Sequence, residues 1–96
     1  LSQNGIIIVA MRLEHGTNRL LSGPDIVSRG FVYVRESTDL MNEASAVVRE
    51  AVADCLHARI TDWSKIKNVV RDSLSEFLWK RMKRNPVILP IIMEIH

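Results

Sequence analysis

The chain has 96 residues, of which 47% are hydrophobic, 25% charged and only 5% aromatic. This size and composition predict one globular domain with a core of aliphatic side chains. The net charge of +2 is too small to indicate a polyanion partner for the chain as a whole. The charge is uneven, however, because residues 63–86 carry seven Lys or Arg against two acids, whereas residues 1–62 carry six against eight.

The single cysteine, Cys55, cannot form a disulfide within the chain, and no segment resembles a secretory signal. Both observations predict a reducing, cytoplasmic location. The most apolar runs, at 5–11 and 87–93, are far shorter than the ~20 residues that a membrane-spanning helix needs, so no membrane segment is predicted. Because the chain starts at Leu1 without an initiator methionine, we expect it to be part of a longer protein.

The first predicted element is a β-hairpin over residues 5–21. Its opening run, IIIVAM at 6–11, is rich in β-branched residues, which favour a strand, and lacks polar alternation, which indicates burial on both faces. Turn residues separate this run from a short return at 19–21. A second turn at 22–25 and a turn or bulge at 28–30 then precede a predicted third strand, FVYV at 31–34.

Two helices follow, each predicted by apolar residues at three- and four-residue steps. The first is capped by a polar residue at 37–39 and should run to about Arg59. The second is capped by Thr61 or Asp62 and stops before Pro86, because proline cannot donate an amide and disfavours helix in the residue before it. The short link between them predicts an antiparallel pair.

The last element, VILPIIMEI at 87–95, is a nearly unbroken apolar strand that should need cover on both faces. Pro90 within it predicts an edge position or a bulge. The order β-β-β-α-α-β predicts an α/β (α+β) two-layer sandwich, with a small mixed sheet of three to four strands covered on one face by two antiparallel helices. Residues 1–96 are expected to form a single domain.

Two such apolar strands cannot both be covered on both faces in so small a sheet, and an uncovered apolar face would mark a partner surface. The candidate interface residues are Ile6, Ile8, Ile88, Pro90 and Ile92. Ordinary core remains the alternative for these side chains. Arg29 is a further candidate, because a guanidinium can clamp a carboxylate or phosphate, with a structural salt bridge to Asp25 or to another domain as the simpler interpretation.

Four cations lie at the C-terminal end of the second predicted helix and form the candidate RNA contact: Lys80, Arg81, Lys83 and Arg84. Clustered cations gain affinity for phosphates through counterion release, and the adjacent Trp79 could stack on a base. Simpler interpretations stay open, because cations at a helix C-terminus complement the helix dipole and Trp79 could cover the helix–sheet edge.

The histidines and the cysteine do not predict a catalytic or metal site. None of His15, His57 and His96 lies three or four residues from another histidine or cysteine, as paired ligands on one helix face would, so we interpret them as exposed side chains. Cys55 and His57 would point about 160° apart on a helix. Cys55 also falls on the apolar stripe, which predicts a core residue. No glycine-rich cluster indicates nucleotide binding.

Two long segments closely resemble the C-terminal domain of bacterial ribonuclease J. They are SGPDIVSRGFVYVRES at 22–37, and the ending with FLW at 77–79 and KRNPVILPIIME at 83–94. The element at 62–67 and the opening at 1–9 look like the same domain, so the resemblance spans essentially the full chain. There are two departures: Asn85 stands where the family often has a second arginine, which weakens an RNA-contact role, and Met82 stands where it often has threonine.

The resemblance implies a parent enzyme of the metallo-β-lactamase and β-CASP type. Such enzymes are cytoplasmic, zinc-dependent ribonucleases that cut RNA internally and degrade it from the 5′ end, in messenger decay and ribosomal RNA maturation, and they assemble as dimers or tetramers. Their zinc ligands form a His-x-His-x-Asp-His cluster with later His and Asp residues, all in the catalytic body. That cluster does not occur here, so we expect no cofactor and no catalytic residue in this chain.

We therefore expect a C-terminal assembly or accessory domain of a metal-dependent ribonuclease, which is not an enzyme by itself, and the catalytic β-lactamase and β-CASP domains to be absent from residues 1–96. Its partners would be a second copy of itself or the catalytic domains of the same enzyme, with RNA as the substrate of the parent and zinc in its catalytic part. The alternative is an accessory RNA-binding module that uses the basic end of the second helix.

Overall fold

The computed structural model describes residues 5–30 and 38–96, which form three strands and two helices. In chain order these are β1 (Ile6–Glu14), β2 (Asp25–Arg29), α1 (Thr38–His57), α2 (Trp63–Met82) and β3 (Val87–Ile95). The strands form one mixed sheet in the order β2-β1-β3, and the two helices cover one of its faces. The predicted class, an α+β sandwich with a small mixed sheet, is confirmed.

β1 is the central strand, antiparallel to β2 and parallel to β3. Its register places Ile8 in one row with Val27 of β2 and Leu89 of β3. Successive side chains of a strand point to opposite faces, so residues in one row share a face. The odd-numbered side chains of β1 face the helices and are almost completely buried: Ile7, Val9, Met11 and Leu13.

β3 pairs with β1 and is an edge strand among the described strands. The N–H of Val87 donates to the carbonyl of Gly5, and the carbonyl of Ile95 accepts from the N–H of His15. Backbone groups of the odd-numbered residues therefore point towards β1, and those of Pro90 point towards the open edge. Because proline has no N–H, it could not donate a hydrogen bond to a neighbouring strand, but at this edge no such bond is needed. The predicted edge position of Pro90 is confirmed.

The helices begin and end close to the predicted residues. The Asp62 carboxylate caps α2 by accepting the N–H of Ser64 at 2.9 Å. At its other end Lys83 is left-handed, and its N–H donates to the carbonyl of Trp79. The predicted stripes are confirmed, since the fully buried helical residues are Leu40, Ala44, Val48, Ala51, Val52, Cys55, Ile66, Val70, Leu74 and Leu78. Neither helix has the length and apolar character needed to cross a membrane.

The prediction for residues 19–30 is partly wrong. The return at 19–21 contacts β1 through an isolated bridge between Leu20 and Leu13, and the antiparallel partner of β1 is β2, where turns were predicted. Ile26 packs against the core, so this short strand is stabilised by tertiary burial that its turn-like composition does not reveal. The predicted strand at 31–34 lies outside the described residues, and the described order is β-β-α-α-β.

Candidate functional site

The candidate site is the face of the sheet opposite the helices, which we call the open face. Strand register places alternate residues of all three strands on it. Its apolar side chains are Ile6, Ile8, Ala10, Val27, Val87, Leu89, Ile91, Met93 and Ile95. The five from β3 are 37–45% exposed and Val27 is 51% exposed, so a continuous apolar surface meets solvent in this chain. Surfaces of this kind mark partner sites.

The charged groups of the open face lie at its margins. Arg12, near the end of β1, forms an ion pair with Asp25 at the start of β2, and Arg29 lies exposed at the other end of β2. The salt bridge suggested between Arg29 and Asp25 is not the pairing observed, because four strand residues separate the two side chains by about 13 Å. The centre of the face is therefore apolar, and opposite charges flank it along β2.

The structure divides the sequence-predicted interface residues between the two faces. Ile6 and Ile8 lie half-buried on the open face. Ile88 is 5% exposed and belongs to the core, and Ile92 packs against it. Pro90 shares their face. On β3 the residues of the open face are therefore the odd-numbered ones, each one position away from a predicted candidate. An apolar run without alternation carries no signal for which face is covered, and a one-residue offset reverses every side chain.

Three cations of the predicted cluster, Lys80, Arg81 and Lys83, are exposed, Arg84 is half-buried, and the cluster is partly neutralised. Arg81 forms an ion pair with Glu43 of α1, which raises the pKa of its guanidinium. The ammonium of Lys80 lies 3.8 Å from a carboxylate oxygen of Glu76. The Nζ atom of Lys83 lies 5.5 Å from the ring centroid of Trp79, whose indole is 52% exposed. About half of Trp79 therefore remains accessible beside a cation.

Cys55 and His57 do not form a reactive pair. Cys55 is 1% exposed within the core, and this burial raises the pKa of its thiol, which keeps the sulfur protonated and unreactive. His57 lies exposed at the end of α1. The outward groove between the helices, of about 390 Å³, is lined by acidic, apolar and lysine side chains and contains neither of them.

A cluster that the sequence did not predict forms where β1 and β3 end. His15 Nδ1 lies 2.9 Å from one carboxylate oxygen of Glu94, and His96 Nε2 lies 3.3 Å from the other. The hydrogen bond with His15 is the main cause of a lowered pKa of the Glu94 carboxyl. Glu94 and His96 are two residues apart, a spacing that places both on one face of a strand. Helical spacing was the wrong template for finding them.

The fold and these surfaces define a small α+β domain whose distinguishing feature is an uncovered apolar sheet face. The chain belongs to the ribonuclease J C-terminal domain family, which it matches over residues 1–95. It is 46% identical over 95 residues to Ribonuclease J2 of Bacillus subtilis (strain 168). The same identity holds for Ribonuclease J 2 of Staphylococcus aureus strains NCTC 8325 / PS 47 and MRSA252. The resemblance inferred from the two long segments is confirmed.

Each of these alignments covers 99% of the chain and 17% of the relative, so the chain spans about one sixth of the length of the curated relatives it matches. The His-x-His-x-Asp-His motif expected for the catalytic zinc is not present in the 96 residues.

Proposed function

We propose that this chain is the C-terminal assembly domain of a ribonuclease J-type enzyme, and that it pairs two subunits through the open face. The parent would be a cytoplasmic, zinc-dependent endo- and 5′–3′ exoribonuclease in RNA processing and messenger decay, with the metal and the RNA substrate held by its catalytic domains. The single observation that carries the assembly role is the exposed apolar face on β1 and β3. The helix-facing side chains of β1 already form the buried core, so the apolar side chains of the opposite face are surplus to it.

A second copy of the chain fits this face better than an unrelated surface because the face is self-complementary. Val27, Ile8 and Leu89 form one row across the three strands. A twofold axis along this row stacks each of the three on its own equivalent, as an isologous interface requires. The same twofold rotation places Val87 over Ile91 of the second copy, with a small offset because packed sheets are twisted relative to each other.

The charges on β2 fit the same symmetry. Asp25 and Arg29 lie two residues on either side of Val27 and share its face. Rotation about the central row therefore brings Asp25 of one copy towards Arg29 of the other, twice per dimer. Such complementary charges fix the register of two faces more than they add affinity.

The test is light scattering of the 96-residue chain over a concentration series up to ~1 mM, where an association free energy of about 4 kcal/mol becomes visible. We expect a discrete dimer that Leu89→Glu converts to a monomer, because two carboxylates would meet on the axis. Trp79→Glu is the matched control, since Trp79 is similarly exposed, at 52%, but lies on α2, in the helix layer on the other face of the sheet. Equal effects of the two variants would contradict pairing through this face.

A charge exchange tests the proposed axis separately. Arg29→Asp alone should weaken the dimer because it places acids opposite each other, and adding Asp25→Arg should recover it. A wild-type chain that stays monomeric at every concentration would reject self-pairing. The open face would then be assigned to contact with the catalytic domains of the same enzyme.

A second candidate function, an accessory RNA-binding module, is favoured by the accessible Trp79 ring beside Lys83. Its signature is RNA affinity that falls steeply with salt and weakens when Lys83 and Arg84 are both changed to Ala. Lys65→Ala with Lys67→Ala, at the opposite end of α2, is the matched control. Absent or salt-insensitive binding would remove this candidate.

A further inference from the structure

The carboxyl ends of β1 and β3 bring three potential metal ligands together. The parallel register pairs Glu14 with Ile95, so His15 lies beside His96 at the next position. Glu94 precedes His96 by two residues and shares its face. Within residues 5–30 and 38–96, this is the one group of three His, Cys, Asp or Glu residues whose donor atoms all lie within 4.8 Å of one another.

The distances suit a small ion. In a tetrahedral site with bonds of about 2.0–2.2 Å, ligand atoms are separated by about 3.3–3.6 Å. The two imidazoles approach the Glu94 carboxylate at 2.9 and 3.3 Å, and their ring centroids are 4.4 Å apart. Small side-chain rotations therefore suffice to direct two nitrogens and one oxygen at a common point. All three side chains are exposed, so an ion can reach them from solvent.

We propose that His15, Glu94 and His96 form a binding site for a divalent transition-metal ion of the zinc type. Two imidazole nitrogens and one carboxylate oxygen favour such an ion over magnesium or calcium, which prefer all-oxygen sites. The fourth position is left to water or to a donor from another molecule. The bound ion cross-links the ends of two adjacent strands, one of which is the edge strand.

The site is separate from the proposed assembly surface. Glu94 and His96 lie on the helix-facing side of β3, beyond the part that the helices cover, whereas the open face uses the odd-numbered positions. A chain that does not dimerise can therefore still bind the ion, and a chain that does not bind the ion can still dimerise.

The first experiment is a titration of the chelator-treated 96-residue chain with zinc chloride, followed by calorimetry and by the ring signals of the histidines in NMR spectra. We expect one ion per chain and a thermal midpoint that rises with zinc concentration. The ring signals of His15 and His96 should shift together while those of His57 stay in place. Shifts of all three, or of His57 alone, would overturn the assignment.

Variants supply the second readout. His15→Ala, Glu94→Gln and His96→Ala should each weaken zinc binding by at least the roughly 10–100-fold that loss of an outer-shell partner causes. His57→Ala is the matched control and should bind zinc as the parent chain does. Circular dichroism checks that each variant is folded, and Glu94→Gln, which keeps the shape of the side chain, retains the test if a histidine variant unfolds.

No saturable binding tighter than about 1 mM would overturn the proposal and leave the three residues as a surface ion-pair cluster. Binding that the His15, Glu94 and His96 variants leave unchanged would also overturn it, because the ion would then be held elsewhere.

Discussion

The two faces of the sheet are built from equally apolar strands but have different surroundings. On β3, Ile88 is 5% exposed while its neighbour Leu89 is 45% exposed. The helices reach only the even-numbered side of this strand, and their cover fades towards Glu94, which is exposed. Apolar composition along a strand therefore does not measure burial within the chain. The surplus on the odd-numbered side is what points to a partner.

The sharpest way to test this contrast is to truncate neighbouring side chains on the two faces. Ile88→Ala should lower the free energy of unfolding by about 2–5 kcal/mol, because it leaves a cavity against the helices. Leu89→Ala should change it by less than about 1 kcal/mol in dilute, monomeric protein. Urea denaturation at low protein concentration measures both. Similar losses would show that the open face is packed within the chain.

A second test concerns the crowded backbone where the strands meet. Gly5 has a φ of +88°, and a Cβ there would lie 2.7 Å from the carbonyl oxygen of Arg29 and from the carbonyl carbon of Gly30. Gly16 has the same φ with open space around it, so it isolates the backbone strain. We expect both Ala variants to be destabilised by about 1–3 kcal/mol from strain, and Gly5→Ala to lose more because the sheet must shift.

Thermal and urea unfolding of the two glycine variants provide the measurement. If Gly16→Ala loses as much stability as Gly5→Ala, the contact between the start of β1 and the end of β2 is looser than the structure has it.

The covered face can also be probed chemically through Cys55. Burial raises the pKa of this thiol and excludes reagents, so labelling should be slow in the native chain and should rise steeply once denaturant unfolds it. The rate of reaction with a thiol-specific reagent, followed across the urea transition, is the measurement. Rapid labelling in native buffer would mean that the helix layer opens readily.

The smallest expected effect concerns the contact between His15 and Glu94, where β1 and β3 end and the helices no longer cover the sheet. The hydrogen bond from His15 lowers the pKa of Glu94, so this pairing stabilises the fold above the ordinary carboxyl range, and its contribution is lost as pH falls through the lowered value. His15→Ala should raise the Glu94 pKa towards the ordinary carboxyl value. A pH titration of the Glu94 carboxyl signal by NMR measures it, and an unchanged pKa would contradict the contact.

Local sequence signals determined much of the architecture. Three- and four-residue spacing predicted both helices and their buried stripes, a cap at Thr61 or Asp62 predicted the start of α2, and Pro86 predicted that the helix would stop before it. Pro90 predicted an edge position or a bulge in β3, and the edge position is the one found. Each of these depends on the conformational limits of one residue or on contacts within one element, so the sequence alone carries the information.

Long-range pairing decided what the sequence could not. Residues 25–29 became a strand because β1 offered a partner and the core covered Ile26. The register with β1 decided which side of β3 met the helices, and the same register brought His15 to Glu94, 79 residues further along the chain, and to the neighbouring His96. Apolar runs without alternation are equally compatible with either face, so only packing against two helices on one side of the sheet could choose which apolar surface stays exposed.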